Sequence, residues 1–327
     1  MLCKVPLRTL HIKVDNWANV LDLTLKWSTV TDLHITSYEA DPSAVITKLV
    51  ELCPFLTSLS LVLVAGRPHQ PQTQYRDHTA SLEWKFLRNL DIQLMEDWRH
   101  EMGDPISESL SQMLRGLRTP ALEHLALDAN LNGTTRQSGY TGSTMPFHDM
   151  IVLSNSPVRR LELNWFFFSN SEALSRTLES LPSLKSLKLS KSAYGWDEVV
   201  ERGGNNVPGL SAILLSLCPP AIGCREIEKL ELFGCEIGHI DAIISYATAA
   251  PNLKDLCVDF GSMRWESTVS LETLSSNNVR EALLYLREVK GTRVIWRWPR
   301  HFVDRSLHDS PYTGLENSLP RIAYESL

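Results

Sequence analysis

A short leucine pattern in the middle of the chain limits what this protein can fold into. Residues 178–190 read LESLPSLKSLKLS, in which a helical end meets Pro182 and a strand with alternating Leu184, Leu187 and Leu189 follows. Proline lacks a backbone N–H and disfavours helical geometry in the residue before it, so the helix is expected to end here. A unit of one short helix and one short strand cannot bury its apolar face alone and must stack on similar units.

The same frame, L-x-x-L-x-L with Ile or Val allowed for Leu, recurs along most of the chain. Nine units begin at Leu7, Val30, Leu56, Leu87, Leu122, Val158, Leu184, Ile227 and Leu253, at steps of 23 to 43 residues. Residues 293–298 indicate a tenth, degenerate unit. We therefore expect an α/β fold over residues 1–298, in which one curved parallel sheet carries helices on its outer face. Residues 299–327 lose the period and are expected to form a C-terminal cap or tail.

The helices are predicted where apolar residues recur at helical spacing. These stripes are Val45–Cys53, Ile106–Leu117, Leu174–Leu181, Leu210–Leu217, Ile240–Ala247 and Val279–Leu286. Three polar inserts, at 66–81, 129–145 and 191–207, each follow a predicted strand. They should project from one rim of the sheet rather than interrupt its core.

Composition excludes several classes of partner and location. The formal net charge is -6 and the basic residues are scattered, so nucleic acid is not expected as a partner. No apolar run approaches the roughly 18 residues of a membrane helix, so no membrane association is expected. The N-terminus lacks the pattern of a signal peptide, and the six cysteines lack the density of a disulfide framework. These features predict a cytoplasmic or nuclear protein with reduced cysteines.

No motif for chemistry emerges from the sequence. Cys218, Cys224, Cys235 and His239 could supply four zinc ligands, but they lack the closely spaced cysteine pairs of structural zinc sites. The histidines are dispersed, and neither a nucleophile elbow nor a phosphate-binding loop occurs. We therefore expect no metal, no cofactor and no catalytic residues.

The predicted sheet exposes one face that can bind a partner. In L-x-x-L-x-L-x the third, fifth and seventh residues alternate with the buried leucines and point to the concave face. At its centre adjacent strands carry the predicted protein-binding residues Arg160, Glu162, Lys188, Lys229 and Glu231. The same spacing also assigns other residues to this face, among them Val62, Asp91, His124, Asn164 and Cys257. The alternative is a merely solvated face whose charges satisfy one another.

Aromatic residues follow several strands and suggest a second part of the site. Trp165 and Trp196 come directly after two central strands and are predicted to lie on the rim beside the charged centre. Tryptophan is favoured where binding energy is concentrated in protein interfaces. The alternative is that these side chains turn inward beneath the helices.

The repeats resemble the leucine-rich repeat superfamily. Leu122–Asn130 and Ile227–Cys235 both match the longer pattern that ends in Asn or Cys. The irregular unit lengths and the helix-proline-strand junctions, such as Leu181-Pro182 and Ala250-Pro251, are similar to the substrate-binding portion of fungal F-box proteins. The resemblance implies a non-enzymatic, F-box-like solenoid that serves as a ubiquitin ligase substrate receptor and binds its protein ligand on the concave face and the rim after the strands.

The F-box itself, a helical module that usually opens with Leu-Pro, is not found. Val5-Pro6 leads into a predicted strand, and Leu319-Pro320 has only seven residues after it. Contact with a ubiquitin-ligase adaptor is therefore expected only if an F-box lies upstream of this chain. Two other functions stay open: a leucine-rich repeat regulator of a GTPase, which would need a catalytically placed polar residue on the rim, and an enzyme.

Overall fold

The structure is a computed structural model that describes residues 7–14, 25–37, 42–65, 82–96, 114–130, 145–164, 171–190, 210–217, 226–235, 239–260 and 277–297. Twelve strands lie in these ranges. They are β1 (Thr9–Val14), β2 (Asp32–Ser37), β3 (Ser58–Ala65), β4 (Leu82–Glu83), β5 (Asn89–Glu96), β6 (Leu117–Arg118), β7 (His124–Asn130), β8 (Arg160–Asn164), β9 (Ser186–Ser190), β10 (Lys229–Phe233), β11 (Asp255–Asp259) and β12 (Arg293–Arg297).

Ten of these strands form one parallel sheet. Its order follows the chain from β1 to β12, with β4 and β6 left out because they pair with each other in a separate parallel sheet. The prediction of an α/β fold with a parallel sheet in chain order is confirmed. The strand predicted for the tenth unit is present as well, since β12 pairs in parallel with β11.

The leucine spacing sets the register of the sheet. Leu161, Leu187, Leu230 and Leu256 lie directly opposite one another on four successive strands, and all four are buried. A one-residue slip would turn these side chains to the other face, so burial of the leucines specifies the register strongly. Nearly all the buried apolar residues of the described ranges form one cluster that extends from Trp27 to Trp296, whereas Val62 and Cys257 lie outside it.

Eight strands of the sheet, β2, β3, β5 and β7 to β11, begin with the same backbone arrangement. The N–H groups of Arg159 and Arg160 both donate to the carbonyl of Glu123, at 2.8 and 3.0 Å. The N–H groups of Lys185 and Ser186 donate in the same way to the carbonyl of Arg159, both at 2.9 Å. One carbonyl of the preceding unit thus anchors two residues at the start of each of these strands, and this contact repeats along the sheet.

Six described helices connect the strands. They are α1 (Pro42–Leu52), α2 (His148–Ser154), α3 (Ser171–Glu179), α4 (Leu210–Leu217), α5 (Ile240–Ala249) and α6 (Asn277–Glu288), and a 3-10 turn covers Trp27–Thr29. Their apolar residues, such as Ile46, Leu174 and Ile243, belong to the same core as the strand leucines. The helices therefore pack against the leucine face of the sheet. Five of the six predicted stripes correspond to these helices, and residues 114–116, the described part of the sixth stripe before Leu117, are helical as well. Helix α5 ends two residues before Pro251, as a proline junction requires.

The structure corrects several details. Leu117, predicted to continue a helix, lies in the short strand β6, where its side chain is buried. The second and third strands, predicted to begin at Val30 and Leu56 where their units begin, start two residues later, at Asp32 and Ser58. Val30 and Leu56 are instead buried just before their strands. The insert predicted at 129–145 is shorter than expected, since β7 runs on to Asn130 and Met145 is buried in the core.

Other predictions lie outside the described residues. These are Trp165 and Trp196, the inserts at 66–81 and 191–207, and the tail at 299–327. The division into a repeat region at 1–298 and a tail stays a prediction. In the ranges that the structure describes, no helix is long and apolar enough to cross a membrane.

Candidate functional site

The face of the ten-stranded sheet opposite the leucines carries the predicted site. We call it the open face, and define it by the side chains that alternate with the buried leucines on each strand. Its middle row, read across the sheet in register, consists of His11, His34, Ser60, Asp91, Ala126, Glu162, Lys188, Glu231, Cys257 and Ile295.

Glu162 contacts three other polar side chains at the centre of the open face. Its Oε1 atom lies 2.6 Å from Arg160 on the same strand and accepts a hydrogen bond from His124 Nε2 at 3.0 Å. Its Oε2 atom accepts a hydrogen bond from Lys188 Nζ at 2.9 Å. One carboxylate thus joins three strands, β7, β8 and β9, and its side chain is only 17% exposed.

These contacts keep Glu162 ionised. The hydrogen bond from His124 is the largest cause, and together with Lys188 and Arg160 it overcomes the effect of burial and lowers the pKa of Glu162 to about 2. An ionised carboxylate only accepts hydrogen bonds, so the His124 ring must carry a proton on Nε2. Because its pKa lies far from neutrality, Glu162 is poorly suited to proton transfer and well suited to holding cations in place.

A second ion pair continues the site on the next strand. Lys229 Nζ lies 2.8 Å from Glu231 Oε2 on β10. The Lys188 ammonium also lies 5.5 Å from the centre of the Phe233 ring, which is within the range of a cation–π contact. Lys188 is therefore held from two sides, by a carboxylate on β8 and by an aromatic ring on β10.

The structure brings the five charged residues of the predicted site together. Arg160, Glu162, Lys188, Lys229 and Glu231 all lie on the open face of three adjacent strands. The alternative interpretation of the sequence is a solvated face whose charges satisfy one another. The charges do pair with one another in the structure. Their role in binding a protein stays a prediction.

Sequence reasoning did not include two of the contributing side chains in the site. His124 is assigned to this face by the repeat but lies one row away from Glu162, in register with Arg160. Phe233 occupies the last position of its strand, where the frame alone does not indicate a contact with Lys188. The register of neighbouring strands is the signal that would have found both, because residues one row apart on adjacent strands stay within reach of long and aromatic side chains.

Toward β1 the open face changes character. His34 Nδ1 and Ser60 Oγ lie 2.9 Å apart, and the His11 and His34 rings are 5.3 Å apart between centres. The pKa of the Asp91 carboxyl is raised above its ordinary value, mainly because nearby protein atoms keep water away from it. His124 opposes this shift, and the negative charge of Glu162 adds to it. This half of the face therefore combines imidazole, hydroxyl and carboxylate groups.

Three residues that the repeat assigns to an exposed face are buried. They are Val62, Asn164 and Cys257. In the register Cys257 stands between Glu231 and Ile295, whose longer side chains flank its short thiol. Alternation predicts the face to which a side chain points, but its exposure also depends on the size of its neighbours.

The candidate zinc ligands are only partly described. Cys218 and Cys224 lie outside the described residues, whereas Cys235 is buried and its N–H donates to the Asp259 carbonyl at 3.0 Å. In the described part of the chain, no group of three or more His, Cys, Asp or Glu side chains is placed to hold a metal ion.

Comparison with protein-family models and with curated proteins finds no match for this chain.

Proposed function

We propose that this chain is a leucine-rich repeat solenoid that binds another protein on the open face, which forms its concave side, and on the rim that follows the strands. Two features support the repeat assignment. The leucines of successive L-x-x-L-x-L units lie opposite one another in the sheet, and each unit anchors the next through the same carbonyl contact. Stacking of this kind is how repeat proteins build one continuous core from small units.

The main support for protein binding is the group of ion-paired side chains at the centre of the open face. Arg160, Lys188 and Lys229 form ion pairs with Glu162 and Glu231 on adjacent, hydrogen-bonded strands. Charges held by a rigid scaffold need little reordering when a partner arrives, so less conformational entropy is lost on binding. Such charges set the orientation and the rate of association more than the affinity.

The proposed role is that of an F-box-like substrate receptor without enzymatic activity of its own. Support comes from the helix-proline-strand junctions, such as Leu181-Pro182 and Ala250-Pro251. In this proposal the chain reads a protein substrate, and a ubiquitin-ligase adaptor is a partner only through an F-box module elsewhere.

Charge reversal on each side of the sheet tests where the partner docks. The open-face variant is Lys188→Glu with Lys229→Glu, and the matched control is Lys48→Glu with Arg115→Glu, two cations on the opposite side that also form ion pairs. Proteins captured from a cell extract by each immobilised variant are quantified by mass spectrometry, after circular dichroism has shown that both variants fold. The proposal expects specific partners to be lost only by the open-face variant. Loss only by the control variant would place the partner on the helical side and contradict the proposal.

A further inference from the structure

In the ion pairs of the open face, the two partners differ in their exposure to solvent. On β8 to β12 the structure shows four pairs that involve Lys or Arg: Arg160 with Glu162, Lys188 with Glu162, Lys229 with Glu231, and Arg293 with Asp255. In each pair the cation is the more exposed partner. The cationic side chains are 33 to 65% exposed, whereas the carboxylates are 16 to 34% exposed.

The reason is the length of the side chains. Glutamate and aspartate are shorter than lysine and arginine, so on a flat sheet their charges lie closer to the backbone and the cations extend above them. By position in the sheet, β8 to β12 carry four basic and four acidic residues with described side chains on this face, Asp259 being the acidic residue outside the four pairs. Although these formal charges cancel, the cations extend farther from the sheet, so an approaching molecule meets the cations first. The net charge of the whole chain is -6.

The spacing of the cations suits an extended chain. Arg160, Ser186, Lys229, Asp255 and Arg293 follow one another in register across the five strands. At about 4.8 Å per strand, the first and the last of these are roughly 19 Å apart, a distance that about six extended residues span. A short segment with several anionic side chains can thus reach all the exposed cations at once.

We propose that β8 to β12 of the open face bind an acidic segment of the protein partner, whose anionic side chains pair with Arg160, Lys188, Lys229 and Arg293. The inference rests on the proposed function and specifies the chemistry of its ligand. The anionic groups are the carboxylates of Asp or Glu, or the phosphates of modified serine. The other half of the face, with Asp32 and Asp91 on β2 and β5, repels such a segment and fixes its position.

A protein segment fits this surface better than a nucleic acid does. The carboxylates of Glu162, Glu231 and Asp255 lie within 2.6 to 2.9 Å of the cations and repel any anion placed beside them. The evenly spaced phosphates of a nucleic acid cannot avoid all three carboxylates, whereas a peptide can carry its acidic side chains only where the cations are exposed. Nucleic-acid sites combine an uninterrupted basic groove with stacking aromatic rings. On this face the Phe233 ring is already engaged by Lys188.

Fluorescence anisotropy with short labelled probes tests the inference. The probes are peptides of about eight residues, matched to the width of the five strands, in which serine alternates with glutamate, phosphoserine, glutamine or lysine, and an oligothymidylate of similar length. The proteins are the wild type, the open-face variant Arg160→Gln with Lys229→Gln, and the control Lys48→Gln with Arg115→Gln. Melting temperatures establish that all three proteins are folded.

We expect the wild type and the control to bind a glutamate or phosphoserine peptide about tenfold more tightly than the glutamine peptide, with an affinity that falls as salt is added. The comparison of the two anionic peptides identifies which source of negative charge is preferred. The open-face variant should lose this preference. The inference is overturned if the anionic peptides bind no better than the neutral one, if the preference survives in the open-face variant, or if the oligothymidylate binds most tightly.

The same proteins separate this inference from the proposed function. If a captured protein partner still depends on Lys188 and Lys229 but no anionic peptide is preferred, the open face binds protein by other chemistry and only the inference fails. If capture is also unaffected by open-face changes, the proposed function itself fails.

Discussion

Lys188 Nζ lies 2.9 Å from Glu162 Oε2, and the two residues stand directly opposite each other in the register of β8 and β9. Because Arg160 and His124 contact the other oxygen of the same carboxylate, Glu162 pairs with two cations and accepts a hydrogen bond from an imidazole at once. Removing the carboxylate would leave these cations unpaired beside one another. The contact therefore affects stability as well as the surface offered to a partner.

The first prediction concerns Glu162→Gln. Since the folded pKa of Glu162 is about 2, below its ordinary value, ionisation stabilises the fold fully above the ordinary glutamate pKa. We expect the variant to be less stable than the wild type at pH 7 by about 2 kcal/mol, allowing for solvent screening. The difference should shrink as the pH falls from about 4.5 toward 2, because the wild-type carboxyl then becomes protonated. Urea unfolding of both proteins across this range measures it.

Glu228→Gln is the matched control for that experiment. Glu228 also accepts hydrogen bonds from two lysines, Lys185 at 3.0 Å and Lys254 at 2.6 Å, but it is about twice as exposed as Glu162. Water and salt screen an exposed pair, so this substitution should have the smaller effect. A loss for Glu162→Gln that is the same at pH 7 and near pH 2 would contradict the role assigned to its ionisation.

The second prediction concerns Lys290, whose ammonium caps a helix of the preceding unit. Lys290 Nζ donates hydrogen bonds to the carbonyls of Ala247, Thr248 and Ala250 at 2.8, 3.1 and 2.6 Å, at the end of α5. These carbonyls lack partners within the helix, and the negative end of the helix dipole favours a cation there. We expect Lys290→Met to destabilise the protein by about 1 to 2 kcal/mol.

Lys48→Met serves as the comparison for Lys290, with both variants measured by urea unfolding. Lys48 pairs only with the exposed Glu51 on its own helix, so its loss should change the free energy of unfolding by less than about 0.5 kcal/mol. Equal effects of the two substitutions would show that the cap contributes nothing beyond a surface lysine.

The third prediction concerns the reactivity of Cys53. Its side chain is fully buried, and burial raises the pKa of the thiol to about 11. Alkylating reagents attack the thiolate, so Cys53 should stay unmodified by iodoacetamide at pH 8 in the folded protein and react once urea is added. Peptide mass spectrometry resolves this cysteine from the others. Rapid labelling of Cys53 without denaturant would show that the helix end before Pro54 is open.

The sheet was predictable because burial repeats at a fixed spacing. Leu161, Leu187 and Leu230 all occupy the same place in their units, and only one register buries all three. Leu117 was misassigned because its spacing also fits a helical stripe, and a two-residue strand has too few residues to show alternation of its own.

For the candidate site, the sequence predicts only the face of the sheet on which its residues lie. Alternation assigns Glu162 and Lys188 to the same side of the sheet, but the sequence does not reveal that His124 reaches Glu162 from a strand 38 residues away. The unequal exposure of cations and carboxylates likewise depends on side-chain geometry. Neither the contacts nor the exposures follow from spacing alone, because long side chains can choose among several neighbours within reach.

A photo-crosslinking amino acid placed on each side of the sheet tests the central claim most directly. One position is Ser186, which lies between Arg160 and Lys229 on the open face, and the other is Ser245, which is exposed on α5. Each labelled protein is irradiated together with the captured partner, and covalent adducts are identified by mass spectrometry. The account predicts adducts with the partner from Ser186 and none from Ser245. Adducts from Ser245 alone would mean that the partner binds the helical side, and the claim that the open face is the binding surface would be wrong.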